Sequence, residues 1–368
     1  MSARSTTEHR PAVSASAAPP TSPDDRSPHR RRGRAWQRAL VVLGTLALVV
    51  GLSVGGGVLY LTSRYSGEID RVGDVFAGLS EQARPAAPTP ADAATATADP
   101  VTFLLVGSDS RGDTAPGEAP DARSDAIMIA RFAADRRHAQ VVSIPRDSWV
   151  DVPGYGMDKI NAAYAHGGPT LLIQTVEQLT GVRIDHYAAI DFGGLIEVTD
   201  DLGGVDVVVP ETTSNGPYTF TAGTNHLDGD QARWYLGQRY DLPGGDFDRV
   251  RRQQTYLREM FSQLFSRDVF SDPGTLDSVL LALTSAVAVD DGLTTTRLVS
   301  TAYSLRDLRP DDVRFFTAPV LGTGREGPAS VVYLDRVTGD RMWGYLRTDS
   351  LGQNADEFAD EALPVASD

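Results

Sequence analysis

Phe103-Leu104-Leu105-Val106-Gly107 runs straight into Ser108-Asp109-Ser110-Arg111, a strand-length apolar run that ends in a glycine, a carboxylate and a guanidinium. A short buried strand with charged groups at its carboxyl end points to an α/β sheet, which takes ligands in the crevice outside those ends. The pattern recurs nearby. Arg123-Ser124-Asp125 stands directly before the apolar run 126–132, and the run 140–144 closes in Pro145-Arg146-Asp147. Strands are expected at 102–107, 126–132, 140–144, 186–191 and 205–209, with weaker ones at 313–317 and 331–335. Helices are expected at 169–180, stopped by Gly181, at 193–202, at 248–265, where Val250, Leu257, Met260, Phe261, Leu264 and Phe265 recur at helical spacing, and around 275–289 and 294–305. Strands alternating with helices and no second linker make residues 101–348 one layered α/β domain, followed by an acidic tail at 349–368.

Outward from that domain the composition changes abruptly. The 368-residue chain has 34 Lys+Arg against 49 Asp+Glu, a formal net charge of −15, and no cysteine, which excludes disulfides, thiolate zinc, iron–sulfur clusters and cysteine nucleophiles. Residues 1–38 nevertheless carry eight Arg and three acids, so a +5 arm precedes a body of −20. The arm lacks hydrophobic periodicity, which predicts disorder and electrostatic contact with anionic lipid rather than nucleic acid. Between arm and body, residues 39–62 contain no charge. As a helix this span reaches roughly 36 Å, enough to cross a bilayer core of about 30 Å. It is too long, and lacks the cleavage site, for an ordinary signal peptide. Arg30, Arg31, Arg32, Arg34 and Arg38 before it place the arm in the cytoplasm and the body outside, a single-pass cell-membrane protein. Residues 63–100 read as a juxtamembrane segment and an Ala/Pro/Thr spacer.

A second basic cluster lies inside the acidic body. Arg239, Arg249, Arg251 and Arg252 fall within fourteen residues, and Arg249 and Gln253, four apart, share one face of the helix expected from Asp248. Free N–H groups in the first turns of that helix favour an anion, so the segment outlines a phosphate receptor. His166, His186 and His226 are too scattered for a metal trio, and no nucleophile elbow supports a Ser-His-Asp hydrolase.

Read together, Gly107-Ser108-Asp109-Ser110-Arg111, Arg123-Ser124-Asp125, Ser143-Ile144-Pro145-Arg146-Asp147, Asp158-Lys159-Ile160-Asn161-Ala162-Ala163-Tyr164, Leu227-Asp228-Gly229 and Gly245-Asp246-Phe247-Asp248-Arg249 with Arg252-Gln253-Gln254 resemble the LytR-CpsA-Psr family. Its members are membrane-anchored enzymes of Gram-positive bacteria that attach anionic glycopolymers to peptidoglycan, and the Arg- and Ala-rich composition fits an actinobacterial type. The resemblance implies an α/β/α sandwich around a central mixed sheet, with a greasy pocket for a polyprenyl chain and a polar mouth for its pyrophosphate. By position, Asp109 and Asp125 match carboxylates associated with magnesium (Mg2+). Arg123, Arg146, Arg239 and Arg249 match arginines that hold pyrophosphate, with Gln253 beside them; Asp109, Asp125, Arg146 and Arg239 are the catalytic candidates. Arg111 matches a less well-defined position. One departure is visible: Gly237 stands where the family commonly has the first arginine of an Arg-x-Arg pair, and Arg251 or Arg252 is the candidate substitute.

The implied reaction moves a glycopolymer from a polyprenyl-pyrophosphate carrier to a peptidoglycan hydroxyl, forming a phosphodiester. Such chemistry rests on positioning and charge neutralisation more than on covalent help. Asp109 or Asp147 is the candidate proton acceptor. A polyprenyl-pyrophosphate pyrophosphatase and a non-catalytic lipid-binding or regulatory module are the alternatives. The transferred polymer is left open by the sequence.

Overall fold

The computed structural model describes residues 69–87, 98–108, 124–238, 242, 244–264 and 273–363, all within one compact unit. The expected arm at 1–38 and uncharged span at 39–62 lie outside the described residues, among which no helix is long and apolar enough to cross a membrane.

Fifteen strands are described: β1 (Arg71–Val72), β2 (Val101–Ser108), β3 (Ser124–Phe132), β4 (Ala139–Ile144), β5 (Trp149–Val152), β6 (Gly156–Lys159), β7 (His186–Asp191), β8 (Val205–Val209), β9 (Thr213–Asn215), β10 (Tyr218–Phe220), β11 (Gly223–Leu227), β12 (Val287–Asp290), β13 (Val313–Thr317), β14 (Val320–Glu326) and β15 (Ala329–Leu334). The helices described are α1 (Ile160–Thr180), α2 (Phe192–Asp201), α3 (Gly229–Gly237), α4 (Asp246–Leu264), α5 (Pro273–Ala286), α6 (Thr295–Ser304) and α7 (Arg336–Arg347). Seven strands form the central sheet in the order β1-β12-β7-β2-β3-β4-β13. The sheet is mixed: β7 runs parallel to β2 and β13 parallel to β4, whereas β3 is antiparallel to both its neighbours. Four two-stranded sheets are described beside it, β5–β6 and β14–β15 among them.

Alternation along the strands sends successive side chains to opposite faces. On one face Leu104, Val106, Ile127, Ile129, Val142 and Ile144 pack with Leu172, Ile173 and Val176 of α1 and Met342, Trp343 and Leu346 of α7. The other face carries Phe103, Leu105, Met128, Ala130, Val141 and Phe315, with Leu257 of α4 against it, and continues into a second cluster built from α2, α3, α4, α5 and β8. Local signals place the helices. α1 ends at Gly181, whose φ of 64° lets its N–H reach Glu177 O at 2.8 Å. α3 begins with a reciprocal capping box, Gln231 N donating to Asp228 Oδ1 at 2.8 Å and Asp228 N to Gln231 Oε1 at 3.0 Å. The Leu227-Asp228-Gly229 motif therefore builds a helix start.

Three expectations change. The described domain runs past residues 101 and 348 on both sides. Arg71–Val72 adds a strand beside β12, Arg84 Nη2 pairs with Glu177 at 2.7 Å, and Leu351 and Phe358 beyond α7 are fully buried. Residues 275–289 do not form one helix. α5 stops at Ala286 and Val287–Asp290 joins the sheet against β7, because the continuous apolar run suits a buried strand as well as a helix. α1 starts at Ile160, nine residues before the expected 169, and is kinked at Gly167–Gly168 ahead of Pro169.

Candidate active site

Register brings the ends of β2, β4 and β7 and the start of β3 to one edge of the sheet. Ser108 at the end of β2 pairs with Ser124 at the start of β3 and with Asp191 at the end of β7. Ile127 of β3 pairs with Ile144, the last residue of β4, and Ser143 with Thr317 at the end of β13. The chain leaves β4 through Pro145-Arg146-Asp147, so Arg146 lies on the same edge. Gly107 pairs with Ala126 but Ser108 with Ser124, which leaves Asp125 as the extra residue of a bulge. Bulges break strand pairing and re-aim the chain, commonly beside functional sites. Asp125 is placed by its backbone alone; Asp109, Arg111, Arg123 and Arg239 lie outside the described residues.

Asp147 is held between cations, with Lys159 Nζ 3.0 Å from Oδ1 and Arg146 Nε 3.8 Å from Oδ2. Its backbone carbonyl accepts from Val332 N at 2.8 Å, tying the β14–β15 hairpin to the edge. Arg146, though inside the fold, keeps 13% of its side chain exposed.

α4 closes the edge from the open side. Gln254 Nε2 donates to Ser143 Oγ and Phe316 O, both at 2.8 Å, and so docks the helix on the ends of β4 and β13. On its first turns Arg249 and Gln253, which their four-residue spacing puts on one face, are both buried, at 2% and 3% exposure. Asp248 accepts from Gly244 N at 2.6 Å and pairs with Arg251 at 3.7 Å, so it shapes the turn entering the helix. Arg252 is not a spare cation for the site. It donates to Gln238 Oε1 and Thr213 Oγ1, both at 2.6 Å, and lies 4.6 Å over the Tyr235 ring. Burial pulls its basicity below the usual arginine range and pushes the Tyr235 phenol up to about 12 against the opposing influence of Arg252. Arg251, by contrast, is exposed beside Asp248. Gly237 itself faces open space.

Below Gln253 an apolar slot opens between α4 and the sheet, lined by Leu105, Met128, Ile190, Leu195, Leu236 and Leu257 and bordered by Gln253 and Tyr256. The Tyr256 hydroxyl turns away to Thr199, and burial pushes its pKa up to about 12. Gln253 Oε1 is buried with no hydrogen-bond partner among the described residues. The slot is narrow, with a cavity volume of about 20 Å³, roughly that of one water. Leu257, one of the residues at helical spacing, bridges core and slot.

Among the described residues no group of three or more His, Asp or Glu is arranged to hold a metal ion. Asp109 lies outside those residues and Asp125 contributes only its backbone, so no fit to magnesium can be built from them. Each histidine of the scattered trio has its own carboxylate: His166 with Asp158, His186 with Asp290 and His226 with Asp206. The sequence reading missed Thr213, Gln238 and the docking role of Gln254. For Gln254 the signal was the unbroken polar run Arg252-Gln253-Gln254 ahead of the buried Tyr256 and Met260; Thr213 and Gln238 had none.

The LytR_cpsA_psr family model matches residues 77–346. The cell wall biosynthesis protein LcpA of Corynebacterium glutamicum is 34% identical over 279 residues, covering 63% of this chain and 53% of that protein. The polyisoprenyl-teichoic acid–peptidoglycan teichoic acid transferase TagU of Enterococcus faecalis is 37% identical over 175 residues, covering 47% and 57%. The chain thus spans about half the length of these curated relatives. The solved LytR-Csp2A-Psr enzyme of Actinomyces oris superposes with a TM-score of 0.57 at 20% identity over 76% of this chain and 96% of that one, a likeness of fold.

Proposed function

The chain belongs to the LytR_cpsA_psr family, and on that premise we propose that it transfers a glycopolymer from a polyprenyl-pyrophosphate carrier to a hydroxyl of peptidoglycan. One observation carries the reading: a polar sheet edge, bearing Arg146 and overhung by buried Arg249 and Gln253, stands at the head of an apolar slot. That pairing suits a ligand with an anionic head and a hydrocarbon tail, the chemistry named for the related TagU. Arg249, desolvated on a helix's first turn, and Arg146 at the strand end clamp phosphate oxygens, with Arg123 and Arg239 joining them.

In the reaction the acceptor hydroxyl oxygen forms a bond to the glycan-linked phosphorus. The bond from that phosphorus to the bridging oxygen breaks, and polyprenyl monophosphate departs with the bonding electrons. Asp147, fixed between Lys159 and Arg146, positions the clamp, which leaves Asp109 as the group to take the hydroxyl proton. Magnesium on Asp109 and Asp125 belongs to the proposal and, when bound, would neutralise charge on the phosphate oxygens. The chain is further proposed to be anchored by residues 39–62, with the catalytic unit outside the membrane. The arginine-rich flank and the 24 uncharged residues support this.

The test is transfer by the detergent-solubilised full chain from a polyprenyl-pyrophosphate glycan to soluble peptidoglycan. Phosphodiester-linked product and polyprenyl monophosphate are expected in equal amounts, falling about 10²–10³-fold in Arg249→Ala. Release of glycan phosphate regardless of acceptor would instead identify a pyrophosphatase.

A further inference from the structure

One exposed feature stands apart from the slot. The tip of the β5–β6 hairpin, Pro153-Gly154-Tyr155-Gly156, holds Tyr155 with 56% of its surface in solvent. Gly154 and Gly156 on either side adopt φ of 82° and 79°, a backbone that other residues rarely take, so the turn fixes where the ring is presented. The ring lies flat on His166, with centroids 4.3 Å apart and planes 8° from parallel. His166 Nε2 is in turn 3.2 Å from Asp158 Oδ2. Turn, stacking and hydrogen bond together immobilise an aromatic face that a solvent-exposed tyrosine would otherwise swing freely.

The place of this ring matters as much as its rigidity. Val150 and Val152 of β5 and Ile160 pack with Leu104 and Val106, on the α1 side of the sheet. The slot is lined by Leu105, Gly107 and Met128, on the α4 side. Hairpin and slot therefore flank the polar edge from opposite sides. A phosphoryl transfer needs attacking and leaving oxygens roughly in line, on opposite sides of phosphorus. If the departing polyprenyl phosphate lies over the slot, the attacking hydroxyl comes from the side of the hairpin. The hairpin is also joined to the edge: Lys159, at the end of β6, pairs with Asp147 at 3.0 Å. From Lys159 back to Tyr155 is four residues of strand and turn, about 13 Å, on the order of one disaccharide.

We propose that Tyr155, backed by His166, is the platform on which an acceptor glycan strand lies, one disaccharide from the reacting phosphate; this rests on the transferase reading above. The C–H face of a pyranose stacks on the exposed side of the ring, and Asp158 accepts from its hydroxyls. A strongly acidic body makes an anionic lipid surface the poorer occupant of this face.

The test uses the detergent-solubilised full chain and, as ligand, peptide-free soluble glycan strands of peptidoglycan, with affinity read by co-sedimentation and no donor present. Tyr155→Ala and Tyr155→Leu are expected to weaken binding roughly tenfold and Tyr155→Phe by less than about twofold, since only phenylalanine keeps the flat ring. Polyprenyl lipid carried by the protein should be the same in all three. Wild-type affinity in folded Tyr155→Ala overturns the platform, as does failure of the wild-type chain to bind glycan. Should Tyr155→Ala melt at room temperature, Tyr155→Leu decides by the same criterion. Loss of transfer with Tyr155-dependent glycan binding intact would instead count against the transferase reading alone.

Discussion

The two faces of the central sheet are built from the same strands and do opposite things. Toward α1 and α7, Leu104, Ile129 and Val142 are fully buried, and one cluster of buried residues runs from Val72 of β1 to Phe358. Toward α4, Phe103, Leu105, Ala126 and Leu257 are only half-buried, and two openings interrupt the packing: the slot under Gln253 and a groove of about 340 Å³ between Arg258, Phe315 and Leu363. One face carries the stability of the domain, and the other gives part of it up for space next to a charged edge. Close packing is the rule in protein interiors, so a loosely covered apolar face beside a polar rim is the informative departure.

The largest effect is expected at the end of the closed face, where Arg131 and Asp349, 1% and 7% exposed, pair at 2.5 Å. Asp349→Ala strands a buried guanidinium and should cost about 3–5 kcal/mol in denaturant unfolding. An unchanged midpoint would mean that this end of the layer is not sealed. Next, Ile129→Ala should cost about 2–5 kcal/mol, against roughly 1 kcal/mol for Leu257→Ala across the sheet, because the latter position already adjoins empty space. Equal costs would erase the contrast between the faces. Filling the slot sharpens it from the other side. Leu257→Trp should cost no more than about 1–3 kcal/mol, yet lower co-purifying polyprenyl lipid about tenfold or more. The smallest change expected is in Gly237→Arg. The position faces open space at the C-terminal end of α3, where a cation also suits the helix dipole, so stability should rise by a few tenths of a kcal/mol. Donor affinity, by titration, should rise severalfold as the clamp gains a cation.

Much of this asymmetry was legible in the sequence. Each strand expected between residues 102 and 209 is present, Val205–Val209 pairing with β11 outside the central sheet, because five- to seven-residue apolar runs bounded by Gly, Pro or charge have few other solutions. The polar hairpins were not legible: Gly156–Lys159 is exposed or half-exposed throughout and carries no alternation. α7 escaped because its buried Met342, Trp343 and Leu346 occupy barely two turns at the expected domain end. The packed tail escaped because exposed acids surround Leu351, Ala355 and Phe358. At the site, the four-residue spacing of Arg249 and Gln253 correctly placed both on one buried face. Nothing local could reveal that Arg252 bonds Gln238 and Thr213, since those partners come from fourteen and thirty-nine residues away.

Mass spectrometry of lipid retained by the purified full chain puts the open face to its most direct trial. A polyprenyl phosphate or pyrophosphate bound near one per protein in the wild type, and lost in Leu257→Trp, is the predicted result. A well-folded wild-type chain that carries no polyprenyl lipid, or a Leu257→Trp variant that carries as much as the wild type, would contradict it.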